Sequence, residues 1–407
     1  MKSRPRKLRL TFVICAAFPT ETGGRETWLW NIVKRIHKDY HITIICKRNP
    51  LSHSLYDIPS DVTLVTVPVL SSIPRLGKIL MRSYLPVFDA FLFSINVFIY
   101  FLFRRAQIDE TYIAMGTLYE ATPLRWWTRI KKGYIYVCAV RGKMADDSGN
   151  SHPLLRTTFK NMEYINLLHA SQIWSNGADT SSYLQKLGFG PLLMKNGVDY
   201  YEFHKPENQY VCPGFIDNSL TNITMVATLR GIRGLDTAIR ACVYLGQRTK
   251  SFRMIFVGKG AQARWKKLAT ELNTSEHIIF AGERTDIANI LHFSDIVLAF
   301  CDERYGSGLS MSLLEAMASG KPIVAWENAI YTQLLVNHEN SLLVPENEPK
   351  ALANAILELI ESPDLRERIG SNARKTAADY DWSEVVSDFK KYVELHKRCF
   401  TKRSYQS

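Results

Sequence analysis

Short aliphatic and β-branched runs alternate with helix-length amphipathic segments along most of the chain, the pattern of βα units wrapped round a parallel sheet. The pattern occurs twice. In the first half the strand-like runs are LRLTFVIC, HITIIC, VTLVTVPV, TYIAM, YIYVCAV and SQIWS; in the second they are ITMVATL, FRMIFVG, HIIFAG, DIVLAF, PIVAW and SLLVP. Runs this continuously apolar belong to strands buried on both faces, so two doubly wound α/β sheets are expected.

Between Tyr201 and Asn222 the chain has no sustained period and carries Pro206, Pro213 and Gly214, which reads as a linker. Helical patterns follow at 348–361 and 364–377. A last amphipathic stretch begins near Trp382, has no strand to serve, and is expected to cross back to the first domain. The expected organisation is a first domain over 1–203, a linker over 204–221, a second domain over 222–378 and a crossover helix with a basic tail over 379–407. A length of 407 residues suits two domains of roughly 200 each.

One stretch breaks the rhythm. Residues 85–103, LPVFDAFLFSINVFIYFLF, carry a single charge and are followed by Arg104 and Arg105. The length matches a membrane span, but Asp89, Ser94 and Asn96 lie inside it and soluble βα units flank it. The favoured reading is a helix partly in the core and partly at a membrane surface, with a fully buried helix and a true span as the alternatives.

Charge changes the picture next. Lys and Arg number 51 against 39 Asp and Glu, a formal +12, which favours anionic partners such as nucleotides or acidic lipid. The basic residues gather at the two ends rather than in a stripe with interleaved aromatics, so nucleic acid is not expected. The seven cysteines show no CxxC pair and no zinc spacing with histidine, and they read as buried thiols of a reducing compartment. The apolar run after the basic N-terminal residues imitates a signal peptide, but it equally describes a buried first strand, and Ile14 before Cys15 is not the small residue a lipoprotein site wants. A cytoplasmic protein, peripheral on the membrane face, is the expectation.

The run YGSGLSMSLLEAMASGKPIVAW, residues 305–326, carries the most chemistry. Gly306 and Gly308 permit close backbone approach around Ser307 and Leu309, Ser310 suits a helix cap, Gly320 suits the helix end and Pro322 opens the next strand. Free amides and the positive helix end would face a diphosphate, and Glu315 would accept hydrogen bonds from ribose hydroxyls. A strand, glycine turn and helix with Glu315 on a wet face is the plainer alternative.

This run resembles the donor-site signature of retaining glycosyltransferases of family four, Glu-Gly-x-x-x-x-Leu-Leu-Glu-Ala-Met. Glu315 matches the second glutamate, which in that family holds the nucleotide ribose. The first, which contacts the donor sugar, falls on Ser307, with Glu303 four residues upstream. The segment MVATLRGIRGLDTAIRA, residues 225–241, is similar to the strand and loop that give an Arg and a Lys to the diphosphate. Arg233 stands at the Lys position, and Thr228 replaces the Arg with Arg230 nearby. In the segment from FVGKG to DIVLAF, Gly258, Gly260, Gly282, Asp286 and Asp295 fall where the family has them, and the backbone at Arg284 and Thr285 is where members meet the donor base. Ala329, Ile330, Gln333 and Ser341 replace the usual Gly-Gly-x-x-Glu and Asn-Gly positions. In the first half, Gly23 and Gly24, followed by Arg25 and Glu26, resemble the loop that approaches donor phosphate and acceptor. Arg141 stands near the usual pocket histidine, and Asn196 to Asp199 match the Asn-Gly-Val-Asp turn.

The resemblance implies a GT-B fold, two Rossmann-like domains facing across a cleft. It implies a retaining transfer of sugar from an NDP-sugar to a glycan or lipid-linked acceptor, as in cell-surface polysaccharide biosynthesis. Arg233, Arg230 and Ser307 fall at the reacting end. Gly23, Gly24, Arg284, Gly306, Gly308, Leu309 and Glu315 line the donor, and Arg25, Glu26 and Arg141 the acceptor or cleft. The departures leave open a non-catalytic homologue that binds nucleotide-sugar or glycan as a partner subunit, and more remotely a nucleotide-sugar epimerase. No metal and no cofactor are expected, since the ten histidines form no HExxH or ligand-like pair, and no G-x-S-x-G elbow supports a hydrolase.

Overall fold

A computed structural model of the chain describes residues 7–18, 23–48, 56–72, 85–104, 110–131, 134–141, 153–205, 207–302 and 308–404. These form two compact units, one of residues up to Lys195 together with those from Val385, the other Asn196–Glu384.

The first unit is a parallel sheet of β1 (Arg9–Val13), β2 (His41–Lys47), β3 (Thr63–Val67), β4 (Glu110–Ala114), β5 (Tyr136–Val140), β6 (Gln172–Ser175) and β7 (Leu192–Leu193), in the order β3-β2-β1-β4-β5-β6-β7. All six strand-like runs of the first half are strands. The two-residue β7 carries too short an apolar run to be read from sequence. Helices α1 (Gly24–Ile36), α2 (Leu85–Phe103), α3 (Ala121–Ile130), α4 (Pro153–His169) and α5 (Ala178–Lys186) connect them.

Helix α2 is the anomalous apolar stretch, and its polar residues have partners in the unit. Asp89 accepts from Lys47 Nζ at 3.0 Å and from the Ser71 amide and hydroxyl at 2.8 Å each. Ser94 donates to the Tyr119 carbonyl at 2.7 Å, and Asn96 to the Pro68 carbonyl at 2.6 Å. Just past its end, Arg104 pairs with the buried Glu110 at 2.8 Å. Phe93, Val97 and Phe101 are buried, whereas Phe88 and Phe103 are 67% and 88% exposed. Among the described residues no helix is long and apolar enough to cross a membrane, so the spanning alternative is set aside: charged and polar groups tie this helix to a sheet.

The second unit repeats the design with β8 (Thr221–Val226), β9 (Phe252–Val257), β10 (Ile278–Gly282), β11 (Ile296–Ala299), β12 (Ile323–Trp326) and β13 (Leu342–Val344), parallel in the order β10-β9-β8-β11-β12-β13. Its helices are α6 (Leu235–Gly246), α7 (Ala263–Glu271), α8 (Ile287–His292), α9 (Met311–Ala318), α10 (Pro349–Glu361) and α11 (Pro363–Ala377). The residues from Asn196 to the start of β8, the expected linker included, lie with this unit. Val198 is in its core and exchanges backbone hydrogen bonds with Tyr380 and Trp382 at 2.9 and 3.1 Å, and the Tyr210 ring stacks on His292 at 3.9 Å. Buried contacts thus outweigh the linker-like composition of that stretch.

Of the cysteines described, Cys46, Cys138, Cys242 and Cys301 are the expected buried thiols, while Cys15 is partly exposed and Cys212, in an irregular segment, is exposed.

Helix α12 (Trp382–Ser404) enters the first unit at Val385. Its Phe389 ring lies against Trp174, Phe12 and Trp28 with centroids 5.5, 6.2 and 6.3 Å away. Deeper along it His396 is buried, with Nε2 2.7 Å from Ser171 Oγ. Ser171 Oγ donates to the Tyr136 carbonyl, so His396 Nε2 is the donor in this pair. Burial depresses the His396 pKa to about 4. A histidine held neutral when folded and titrating near 6.5 when unfolded binds more protons in the unfolded chain between those values. Its stability contribution is therefore complete above about pH 6.5 and declines as pH falls toward 4. Denaturant unfolding at pH 7.5 and pH 4.5 should show His396→Gln losing less stability than wild type over that interval, by on the order of 3 kcal/mol.

Candidate functional site

In a sheet built first to one side and then to the other, the loops after the two central strands diverge and leave a crevice at the carboxyl ends. In the first unit that reversal falls between β1 and β4, and in the second between β8 and β11. Several of the residues singled out from the sequence lie on the loops that follow these strands.

In the second unit the loop after β8 runs along a rail of backbone bonds. Ala227 donates to Val257 and Leu229 to Lys259, each at 2.9 Å, and Trp265 Nε1 donates to the Leu229 carbonyl at 3.2 Å. Gly258 makes this approach possible. Its φ is +147° and a Cβ there would stand 2.0 Å from the Ala227 oxygen, so only glycine fits. Gly258 and Gly260 are thus packing glycines rather than ligand groups. Beyond the rail, Gly231–Arg233 make one 3-10 turn, and the Asp302 amide donates to the Ile232 carbonyl at 2.9 Å. The loops on the two sides of the crevice are joined there.

Arg230 is exposed at this turn and Arg233 is partly buried. Arg233 Nε is buried with no hydrogen-bond partner among the described residues. An orphaned guanidinium nitrogen at the mouth of a crevice is a site for an oxyanion. Burial pushes the Tyr331 phenol well above its ordinary value, with the Cys301 thiol adding to that and Arg233 opposing it. Trp326, at the end of β12, stacks on Phe300 at 5.1 Å and fills the space above Gly234, where a Cβ would stand 2.6 Å from its ring. Sequence reading passed over Trp326 and Tyr331 because aromatic residues in apolar runs read as core.

Glu303, Gly306 and Ser307 lie outside the described residues. The loop resumes at Gly308, in the left-handed region with φ +66°, and Leu309, whose carbonyl accepts from Asn196 Nδ2 at 2.6 Å. The expected Asn-Gly turn therefore holds the glycine loop in place. Ser310 caps α9 as anticipated, its Oγ accepting from the Leu313 amide at 3.2 Å, and Gly320 ends that helix at φ +71°. Glu315, on the second turn of α9, makes no ion pair or side-chain hydrogen bond with the described residues, and burial pushes its carboxyl up to about 7. A partly buried carboxyl without a partner is costly unless a ligand supplies donors.

The remaining candidates of this unit are placed differently. The Arg284 side chain is engaged in two bonds to Asp286, at 2.7 and 2.8 Å, so only its backbone is offered. Asp295 accepts from the Asn222 amide at 2.8 Å and serves the sheet. Thr228 accepts the Arg230 amide through its carbonyl at 2.7 Å, and Gln333 Nε2 donates to the Ile330 carbonyl at 2.5 Å.

In the first unit Gly23 caps α1 with extended backbone and Gly24 is its first residue. Arg25 Nη1 stands 2.8 Å from Glu120 Oε1 and 3.4 Å from the Met115 carbonyl. Burial disfavours the Arg25 charge, but Glu120 and Glu26 more than offset it, so its pKa lies above the ordinary guanidinium value. Glu26 is buried against Gly23. Arg141, at the end of β5, lies over the Trp28 ring at 3.7 Å, and burial holds its pKa well below the ordinary value. Glu120 was missed in the sequence, although an acidic residue in the loop after a strand and directly before a helix was the available signal.

Comparison with known proteins places this geometry. The glycosyl transferases group 1 family matches residues 215–376. An uncharacterized glycosyltransferase of Methanocaldococcus jannaschii, MJ1069, is 31% identical over 176 residues, 42% of this chain and 44% of that protein. A phosphatidyl-myo-inositol mannosyltransferase of Mycobacterium leprae is 30% identical over 162 residues, 40% of this chain and 43% of its own length. The chain thus spans less than half the length of these relatives. The crystal structure of Anabaena Alr3699/HepE in complex with UDP superposes with a TM-score of 0.72 at 17% identity, covering 95% of this chain and 100% of that one. The two doubly wound units are those of the GT-B fold. The similarity to the glycosyl transferases group 1 family thus lies in the second unit, over residues 215–376.

Proposed function

We propose that this protein is a retaining glycosyltransferase that moves a sugar from a nucleoside-diphosphate sugar to a glycan or lipid-linked acceptor in the assembly of cell-surface polysaccharide. The observation that carries the reading is the unmatched chemistry at the β8/β11 crevice, where the orphaned Arg233 Nε and the partnerless Glu315 carboxyl belong to one unit. A nucleoside diphosphate supplies what both lack: phosphate oxygens for the arginine and ribose hydroxyls for the glutamate. UDP is the ligand of the Anabaena relative.

In this reading the departing diphosphate is stabilised by Arg233, Arg230 and the amides about Gly308, with no side-chain nucleophile, no cofactor and no metal ion. One fixed donor aimed at developing charge is worth about 3 kcal/mol in such reactions. Gly23, Gly24, Arg25, Glu26 and Arg141 fall to the acceptor side. A second reading, a binding subunit without turnover, is motivated by Ser307 where the family places a glutamate.

The reading extends to an anionic membrane surface at the cytoplasmic face. Phe88, Phe91, Ile99, Leu102 and Phe103 are exposed on α2, and Tyr164 and Leu168 on α4. The exposed Arg129, Lys131, Arg156 and Lys160 lie on or beside α3 and α4. Apolar side chains beside cations suit an acidic lipid interface.

Three outcomes are expected. First, one nucleoside diphosphate at 100 times its Kd should add about 2.7 kcal/mol to stability in a melting assay. Arg233→Ala and Glu315→Ala should each abolish the shift, and turnover of the matching NDP-sugar should survive EDTA. A melting shift without any turnover favours the binding subunit, and no shift with any diphosphate overturns the transferase reading. Second, the raised Glu315 pKa means the folded chain binds more protons than the unfolded chain between about pH 4.5 and 7, so that group costs stability as pH rises. Glu315→Gln should therefore raise stability at pH 8 by about 1–2 kcal/mol, allowing for partial exposure, and change it little at pH 4.5, while weakening nucleotide binding. Third, Phe88→Ser with Phe103→Ser should reduce flotation with phosphatidylglycerol vesicles and leave the nucleotide melting shift unchanged.

A further inference from the structure

Asn328 follows the end of β12 in the second unit, and its side chain uses all of its hydrogen-bonding capacity. Nδ2 donates to the Cys301 carbonyl at 3.0 Å and to Glu346 Oε1. Oδ1 accepts from the Ile330 amide at 3.0 Å and from the Tyr331 amide at 3.4 Å. The donors face acceptors and the acceptor faces donors, so the amide has one workable orientation. Its partners belong to the loops that follow β11, β12 and β13.

The bond to Cys301 reaches further than its own loop. The Cys301 carbonyl and the Asp302 amide are the two ends of one peptide group, and the Asp302 amide donates to the Ile232 carbonyl at 2.9 Å. The Ile232 carbonyl in turn shares a peptide group with the Arg233 amide, which donates to the Arg230 carbonyl at 3.0 Å. Planar peptides pass on orientation as rigid bodies, and hydrogen bonds in series polarise one another away from water. Cys301 and Asp302 are both buried. A continuous line thus runs from the Glu346 carboxylate, through the Asn328 amide and the Cys301–Asp302 peptide, to the turn that carries both arginines.

We propose that Asn328, backed by Glu346, is the positioning residue for the Gly231–Arg233 turn and so sets where the Arg233 guanidinium meets a diphosphate. The proposal rests on the nucleotide-sugar reading of the β8/β11 crevice, and it gives that crevice a support on a loop beyond it. An arginine on a fixed turn loses little freedom when it binds, so loosening the line weakens binding without deleting the arginine itself.

Titration calorimetry of the full chain with UDP, GDP and ADP tests it, each variant being compared with wild type for the diphosphate that wild type binds most tightly. Asn328→Asp puts carboxylate oxygens where the two donors stood, against Glu346 and the Cys301 carbonyl, and is expected to weaken binding about tenfold at pH 8. Two further readouts separate positioning from general damage. The ratio of variant to wild-type Kd is expected to shrink at pH 5.5, where a proton shared between the introduced carboxyl and Glu346 restores one donor. In an Arg233→Lys background, the same substitution is expected to change Kd by less than about threefold, because a flexible point charge gains little from a fixed turn. Glu346→Ala, which takes one acceptor from Nδ2, is expected to weaken binding about threefold, and it carries the test if Asn328→Asp does not fold. A ratio that does not move with pH, or an equal loss in the Arg233→Lys background, overturns the proposal. No binding of any diphosphate by wild type overturns the nucleotide reading and this proposal with it, whereas wild-type binding matched by the folded variants overturns this proposal alone.

Discussion

A parallel sheet that grows to one side of its first strand and then to the other cannot close its central loops over the strand ends, and this chain is subject to that constraint twice. Loops leaving β1 and β4 diverge, as do those leaving β8 and β11. Arg25 and Glu120 meet at the first opening, and Arg233 stands at the second. In the second unit the loop that carries the arginines is fixed on its outer side by the backbone rail against β9 and on its inner side by the Asp302 amide. Charged groups on such a loop are held in place before any ligand arrives, so little ordering cost remains at binding.

The two openings resolve the same electrostatic problem in opposite ways. In the first, charges are matched internally, through the pair of Arg25 with Glu120 and the pair of Lys47 with Asp89. In the second, they are left unmatched, with Arg233 Nε orphaned and Glu315 raised by burial. Internal matching gives a rigid platform; unmatched charge stores free energy that only a ligand releases. Helix α2 shows a third arrangement, in which Asp89 within it and Arg104 just beyond it anchor an otherwise apolar segment while Phe88 and Phe103 stay exposed.

Much of this was legible in the sequence because it depends on local pattern. Twelve apolar runs gave twelve strands, most of them buried along their length, which leaves an uninterrupted signature. Ser310 and Gly320 declared the ends of α9 through cap and left-handed preferences that act within a few residues. What stayed hidden depends mostly on pairs distant in sequence. Glu120 gains its place from Arg25, 95 residues away. The role of Gly258 as a packing residue is visible only beside Ala227. The stretch over 204–221 reads as a linker because its composition is irregular, yet its Tyr210 ring stacks on His292 of the second unit.

The return of α12 to the first unit reverses the order in which the chain can mature. Residues up to Lys195 leave the ribosome first, but Phe389, which lies against Phe12, Trp28 and Trp174, is made only after the whole of Asn196–Glu384. The second unit has all of its own core while still being synthesised, whereas the first must wait with an apolar face of its sheet uncovered. The half translated first is thus the half completed last, and shortening the chain at its C-terminal helix injures the N-terminal unit.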